Sequence, residues 1–391
     1  MVTMLQAEWL AAPFTKAVVA ALGAENIKFV GGAVRDTLLG LAAADIDAAT
    51  IHTPEQALAL LNDAGIKVIP TGLKHGTVTA VQQGQTIEIT TLRVDTETDG
   101  RHAEVAFTTD WLEDAKRRDF TFNALYAAPD GSLIDPFDGQ ADLKAGVVRF
   151  IGNAEMRIEE DALRILRFFR FYGKYGIGVP NAEAMAACSA KRNMLARLSV
   201  ERVRDELLKI MALPRPMGVV ALMEKSGILQ EIFGATYASQ NIEAFSISEN
   251  QLDAPINPLI RFFLLGKPSL DAVAAARKFK LSNHERRFLV KLEKMQDRPR
   301  AKTDREIRQS IYLYGADVVR ACAVGPDAEL YKLAIRVCDD WQVPTMPVQG
   351  SDLLKAGWQA GPNIGQCLKG LESSWVESDF SLTKAQLLSM I

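Results

Sequence analysis

Two aspartates one residue apart, Asp45 and Asp47 in DIDAAT, follow a Gly31-Gly32 pair in FVGGAVRD. Read as a strand, the D-x-D puts both carboxylates on one face and Ile46 on the other. Like charges held so close repel, and a divalent cation removes the penalty; oxygen ligands without His or Cys favour Mg2+. In two-metal phosphoryl transfer such carboxylates hold ions ~3.5–4 Å apart, one activating an attacking hydroxyl and the other steadying the leaving oxygens. Gly31 and Gly32 carry no Cβ, so backbone N–H groups there can approach a polyphosphate, and the helix that starts beside them adds positive potential. Arg35, about a turn further on, adds a fixed cation toward the same phosphates. Neither D-x-D nor Gly-Gly is specific alone: a Gly-Gly before a helix is also an ordinary turn, and Asp36 also fits a plain pairing with a neighbour.

Three further constellations bear on the same chemistry. Glu88 in TIEITTLR is flanked by Ile87 and Ile89, so it points away from the apolar face, either to solvent or to complete a carboxylate triad with Asp45 and Asp47. KRRDFTFNA mixes cations, a carboxylate and an amide around a helix end. It reads as a solvated basic terminus, or as Arg118 on a triphosphate with Asp119 and Asn123 on ribose hydroxyls, the 2′-OH contact selecting ribonucleotides. In EEDALRILRFFRFYG, Asp161, Arg164, Arg167 and Arg170 recur at intervals of three along one slowly drifting helical stripe. That pattern suits a surface ion pair between Asp161 and Arg164 with solvated arginines. It equally suits a nucleobase edge, the carboxylate accepting the amino group that cytosine and adenine share and the guanidinium donating to ring acceptors.

The elements that must position these groups change character along the chain. Up to about residue 145 short β-rich runs (IKFV, DIDAAT, KVIP, TVTAV, TIEITTLRV) alternate with helices such as AVRDTLLG and PEQALALLNDAG, which predicts an α+β unit with a mixed sheet. The polar run DTETDGRHAE reads as a mobile loop, and the first 26 residues as an ordinary amphipathic helix. Beyond about residue 151 helical period dominates, with Pro and Gly as breaks.

Composition is that of a globular protein, 48% apolar and 24% charged with a net charge of −3, and no window approaches the ~18 apolar residues of a membrane span. Two or three domains are expected for 391 residues. The four cysteines form no C-x-x-C, which predicts free thiols in a reducing cytoplasm and no zinc site. Charge is segregated: residues 277–308 carry 12 Lys/Arg against 5 Asp/Glu, while residues 226–260 hold no Lys or Arg.

Taken together, VGGAVRDTLLG…DID, KHGTV, EITTLR, DGRHAEVAF, LEDAKRRDFTFNALY and EEDALRILRFFRF, in this order over residues 27–175, resemble the CCA-adding tRNA nucleotidyltransferases and their relatives the bacterial poly(A) polymerases. The resemblance implies a polymerase-β-like head (residues 1–145), a helical neck that recognises the base (146–205) and a helical body and tail that bind tRNA (206–391). It implies Mg2+ on Asp45 and Asp47, with Glu88 in the place of a third strand carboxylate. Nucleotide contacts are implied for Gly32, Arg35, Arg118, Asp161, Arg164, Arg167 and Arg170, and ribose selection for Asp119. The loop at Asp99, Gly100, Arg101 and His102 looks like the family's flexible loop, linked to the switch from C to A addition. Residues 42–44 depart from the family in being all alanine, where a basic or polar residue usually precedes the first aspartate. The implied reaction is template-independent addition of CCA to tRNA 3′ ends from CTP and ATP; poly(A) synthesis, CC-only or A-only addition, and an inactive RNA-binding protein of the same fold are the alternatives.

Overall fold

A computed structural model describes residues 4–43, 45–98, 103–234, 236–267 and 269–391. The expected loop residues Asp99, Gly100, Arg101 and His102, and Ala44 of the alanine run, lie outside this set. The chain forms two units, Met1–Gly234 and Ala235–Ile391.

The first unit begins with α1 (Glu8–Ala11) and α2 (Pro13–Leu22) rather than one helix, because Ala12 is extended (φ −61°, ψ 141°) ahead of Pro13. Strand β1 (Ile27–Val30), α3 (Gly32–Leu38), β2 (Ile46–Thr50) and α4 (Pro54–Asp63) follow. Pro54 sits in the first turn of α4, and Thr53 and Gln56 cap it reciprocally. Next come β3 (Lys67–Gly72), β4 (Thr77–Gln82) and β5 (Gln85–Thr91). With the short β8 (Tyr126–Ala127) and β9 (Leu133–Ile134) they make a seven-stranded sheet in the order β3-β4-β5-β2-β1-β8-β9. It is mixed: β2 runs parallel to β5 and antiparallel to β1.

TIEITTLRV is not one strand. It breaks at Leu92, and β6 (Arg93–Thr98) leaves the sheet to pair with β7 (Ala103–Phe107). Most of the run read as a loop is therefore paired backbone. Beyond it lie α5 (Trp111–Lys116), a 3-10 turn at Thr121–Ala124, α6 (Gly139–Ala145), α7 (Ala154–Glu160), α8 (Leu163–Tyr175), α9 (Ala182–Ala190), α10 (Val200–Met211), α11 (Met217–Lys225) and α12 (Ile228–Phe233). The stripe expected to carry Asp161 and Arg164 on one helix is interrupted. Asp161 is extended (φ −151°, ψ 103°) at the end of α7, and its carboxylate accepts the Leu163 N–H at 3.1 Å, so a new helix starts there. The boundary expected between residues 205 and 206 falls inside the continuous α10, which belongs whole to the first unit.

Phe120, Phe122, Phe150, Phe168 and Phe171 form one aromatic cluster joining the 3-10 turn to α8, with Phe120, Phe122 and Phe168 fully buried. Burial of each such ring stabilises by roughly 1.5–3 kcal/mol, which fixes α8 against the segment carrying Asp119 and Asn123.

The second unit is built of helices, from α13 (Ser239–Gln251) to α22 (Lys384–Leu388), joined by irregular connections, with no strand among its described residues. Its core includes a fully buried Arg261–Glu249 pair at 2.6 Å. Of the Lys and Arg residues in 277–308, all but Arg308 are exposed.

Candidate active site

The strand register sets the carboxylates. Asp47 on β2 stands opposite Val30 of β1 and beside Glu88 of β5, and Asp45 immediately precedes the strand. Burial, then Glu88, then Asp45 raise the Asp47 carboxyl to about 6. Gly31 bends the chain from β1 into α3 with φ +73°, a conformation that favours glycine, and its Cβ position lies only 3.6 Å from the Asp47 carboxylate. Backbone and carboxylate thus face one another across a bare turn.

Asp45 and Asp47 open onto a cavity of about 710 Å³. Its lining gathers Gly31, Gly32, Arg35, Arg118, Asp119, Asn123, Asp161, Arg164, Arg167 and Arg170, every predicted site residue except Glu88. Arg93, Arg117, Phe171 and Lys209 join them, so eight cations and four carboxylates line the wall. Such an excess suits a polyanion.

The cationic side chains are held in place by partners. Arg35 donates to Asn123 Oδ1 at 2.6 Å and to Asp36 Oδ1 at 2.9 Å, and its guanidinium lies 4.7 Å from the Tyr175 ring centre. Asp36 accepts the Tyr175 hydroxyl at 2.7 Å and Lys174 at 3.2 Å, tying α3 to α8. Asp119 accepts Phe120 N (2.9 Å) and Asn123 Nδ2 (2.8 Å) on one oxygen and Arg167 Nε (2.7 Å) and Nη2 (2.6 Å) on the other. Burial alone would push the Asp119 carboxyl up; Arg167 and Asn123 outweigh it and hold it below the usual carboxylate range.

Asp161 and Arg164 do not pair with each other. Arg202 of α10 donates to Asp161 Oδ2 at 2.7 Å, while Arg164 is held by Glu160 at 2.6 Å and by the carbonyls of Arg157 and Arg117, each at 2.9 Å. Arg170 pairs with the buried Glu206, also of α10. Helix α10 is the part that sequence reasoning missed: its Arg202, Glu206 and Lys209 meet the site at helical spacing, but nothing local marks them. The Asp161 carboxylate on the Leu163 N–H has one signal in the sequence, an Asp two residues ahead of LRILRFF.

Among the described residues no group of three or more His, Cys, Asp or Glu side chains could hold a metal ion, and Glu88 is exposed and stands off the cavity. The adjacent carboxylates of Asp45 and Asp47 fit a hard divalent cation, since Mg2+ commonly takes one or two carboxylates and completes its shell with waters and substrate phosphates.

A polymerase-β-like head whose carboxylates and arginine-rich cavity are buttressed by helices defines a nucleotidyltransferase. The family model described as the poly A polymerase head domain matches residues 27–149, and that described as a probable RNA and SrmB-binding site of polymerase A matches residues 181–238. The mitochondrial CCA tRNA nucleotidyltransferase 1 of Mus musculus is 38% identical over 94% of this chain and 86% of its own length, and the CCA-adding enzyme of Lactobacillus gasseri 31% over 93% and 92%. The crystal structure of the Bacillus stearothermophilus CCA-adding enzyme in complex with CTP matches with a TM-score of 0.73 and 27% identity over 94% of each chain. The chain belongs to the CCA-adding tRNA nucleotidyltransferase family. A Thermotoga maritima CCA-adding enzyme complexed with tRNA shares the fold, with a TM-score of 0.64 and 19% identity over 100% of this chain and 98% of that one. No helix among the described residues is long and apolar enough to cross a membrane.

Proposed function

We propose that this protein adds C, C and A to tRNA 3′ ends from CTP and ATP, releasing pyrophosphate. The observation that carries the reading is the single cavity in which Asp45 and Asp47 meet Arg118, Asp119, Asp161 and Arg164, in a chain of this family. Arg35, Arg118 and the bare Gly31-Gly32 turn bind the triphosphate. Asp119, oriented by Asn123 and Arg167, faces the ribose, and Asp161 and Arg164 read the base edge in place of a template. The tRNA 3′-hydroxyl then lies in line with the α-phosphate, so most of the acceleration comes from orientation and fixed charge. Asp45 and Asp47 hold Mg2+, which supplies charge neutralisation at the phosphates and a more acidic hydroxyl. Glu88 biases the charge of Asp47 from the neighbouring strand.

The head ends near residue 145 and the neck extends through α10. The exposed basic run 277–308 contacts tRNA phosphates, with affinity falling steeply as salt rises. Four free cysteines suit the reducing cytoplasm. The test is to incubate the protein with tRNA lacking its CCA end, and separately with an oligoadenylate, with each NTP singly and together. CCA completion confined to tRNA is expected. Long A-tails on the oligoadenylate would overturn the assignment in favour of poly(A) synthesis, and Mg2+-dependent CTP incorporation undiminished in Asp45→Ala would remove the metal assignment.

A further inference from the structure

Asp114 lies on the short α5, off the cavity wall and 1% exposed. Its carboxylate accepts five hydrogen bonds and has one further ion-pair contact, from Arg117 Nη2. Arg117 Nε (2.8 Å) and Nη2 (2.7 Å) and the Arg93 backbone N–H (3.3 Å) reach Oδ1. Arg118 Nε (3.3 Å) and Nη2 (3.0 Å) and the Tyr126 hydroxyl (2.7 Å) reach Oδ2. Three of the arginines that line the cavity, Arg93, Arg117 and Arg118, are therefore tied to one carboxylate, and they come from two separate elements, the start of β6 and the end of α5. Tyr126 anchors the same group to β8, and its hydroxyl also accepts Arg118 Nε at 3.2 Å.

We propose that Asp114 is a positioning residue for the triphosphate, setting the planes of Arg117 and Arg118 so that their outer edges face the cavity. A guanidinium has five donors in a rigid fork; when two of them bind Asp114, the outer edge has a defined direction. Two cations side by side also repel, and one shared buried anion lets both stay close to a ligand that carries several negative charges. Burial would push the Asp114 carboxyl up, but Arg118 and Arg117 hold it below the usual range, so it stays charged for this task at neutral pH. An amide at this place offers a single acceptor oxygen, and its NH2 faces a guanidinium.

The proposal rests on the reading of Arg118 as a triphosphate ligand, so Arg118→Ala is measured in parallel. For each variant the readouts are KM for CTP, KM for tRNA, and the affinity ratio of CTP to CMP from calorimetric titration. Asp114→Asn is expected to raise KM for CTP about tenfold and to lower the CTP:CMP ratio by a similar factor, as loss of oriented charge-assisted bonds does, with KM for tRNA unchanged. A purely structural role would lower the active fraction and leave the ratio intact. If Asp114→Asn does not fold, Tyr126→Phe takes its place, with a smaller fall in the ratio expected. A CTP:CMP ratio unchanged in the folded variant while Arg118→Ala has lost it overturns the positioning role. A ratio unchanged in Arg118→Ala overturns the triphosphate reading and the proposal with it.

Discussion

Replacing Arg167 by methionine keeps most of its stem against Phe171 and removes the guanidinium. Asp119, 6% exposed in the intact protein, then keeps Phe120 N and Asn123 Nδ2 on one oxygen and has nothing from Arg167 on the other. Breaking a buried ion pair by removing one partner costs about 3–5 kcal/mol. The Arg167 side chain is 32% exposed, so water can reach the vacated oxygen and the lower end, about 3 kcal/mol, is the better figure. For a unit of this size that lowers the midpoint of thermal unfolding by about 6–12 °C. Adding Asp119→Asn removes the stranded charge, so the double variant should be more stable than the sum of the two single losses predicts by about 1–2 kcal/mol. Calorimetry on the four proteins of the cycle measures both quantities. A loss below about 0.5 kcal/mol for Arg167→Met, or strict additivity, would refute the view that Arg167 neutralises and orients Asp119. The same variant should discriminate less well between CTP and dCTP, because the acceptor for the 2′-hydroxyl is no longer aimed.

Asp161→Ala and Arg164→Ala should each cost about tenfold in selection among NTPs and leave tRNA binding nearly unchanged; an unaltered NTP preference in single-turnover competition would contradict base reading by these residues. Arg202→Ala, which frees Asp161 Oδ2, should shift the same preference without touching the base. Acid should weaken the first unit through Asp36, Asp114 and Asp119, each held below its ordinary value against burial by Tyr175 and Arg35, by Arg118 and Arg117, and by Arg167 and Asn123 respectively. Such groups bind protons more readily in the unfolded chain, so their stabilisation is complete above about pH 4 and is lost as pH falls through the folded values. Between about pH 6 and pH 4 protonation of Asp47, raised to about 6, acts in the opposite sense, so the decline in denaturant midpoint should appear below about pH 4 and be smaller in Asp119→Asn; a flat profile there would contradict the sign. Gly139→Ala should destabilise by about 2–3 kcal/mol and weaken CTP binding, because a Cβ there meets the Thr121 carbonyl and comes within 2.9 Å of the Phe122 Cα, in the turn that carries Asn123. Wild-type calorimetric and CTP-titration values would show that turn to be slack.

What could be read in the sequence was local. FVGGAVRD followed by DID reads as a strand, a Gly-Gly turn, a helix and a second strand, and that corner forms as expected, with Gly31 at positive φ beside Asp47. KRRD likewise delivers Arg118 and Asp119 at the end of α5. Hydrophobic period misled where a side-chain cap overrides it: EEDALRILRFF keeps helical spacing straight through Asp161, yet the Asp161 carboxylate accepts the Leu163 N–H and restarts the helix. TIEITTLRV likewise alternates as one strand, although its last residues pair with β7 instead. Support by α10 was illegible because a helix with an ordinary amphipathic pattern gives no hint of which distant carboxylate or arginine its polar face will meet.

The spacing of these partners along the chain has a consequence for how the protein is made. Arg202 and Asp161 are 41 residues apart, Arg167 and Asp119 48, Arg35 and Asn123 88, and Tyr175 and Asp36 139. No short segment can assemble such a wall, and the entropy of closing these loops must be spent before the charges gain from meeting. During synthesis the arginines of the cavity emerge ahead of α10, and Arg170 has no Glu206 to pair with until that helix has left the ribosome. Competence to bind a nucleotide is therefore a late event in folding, and its appearance on a growing chain would time the docking of α10.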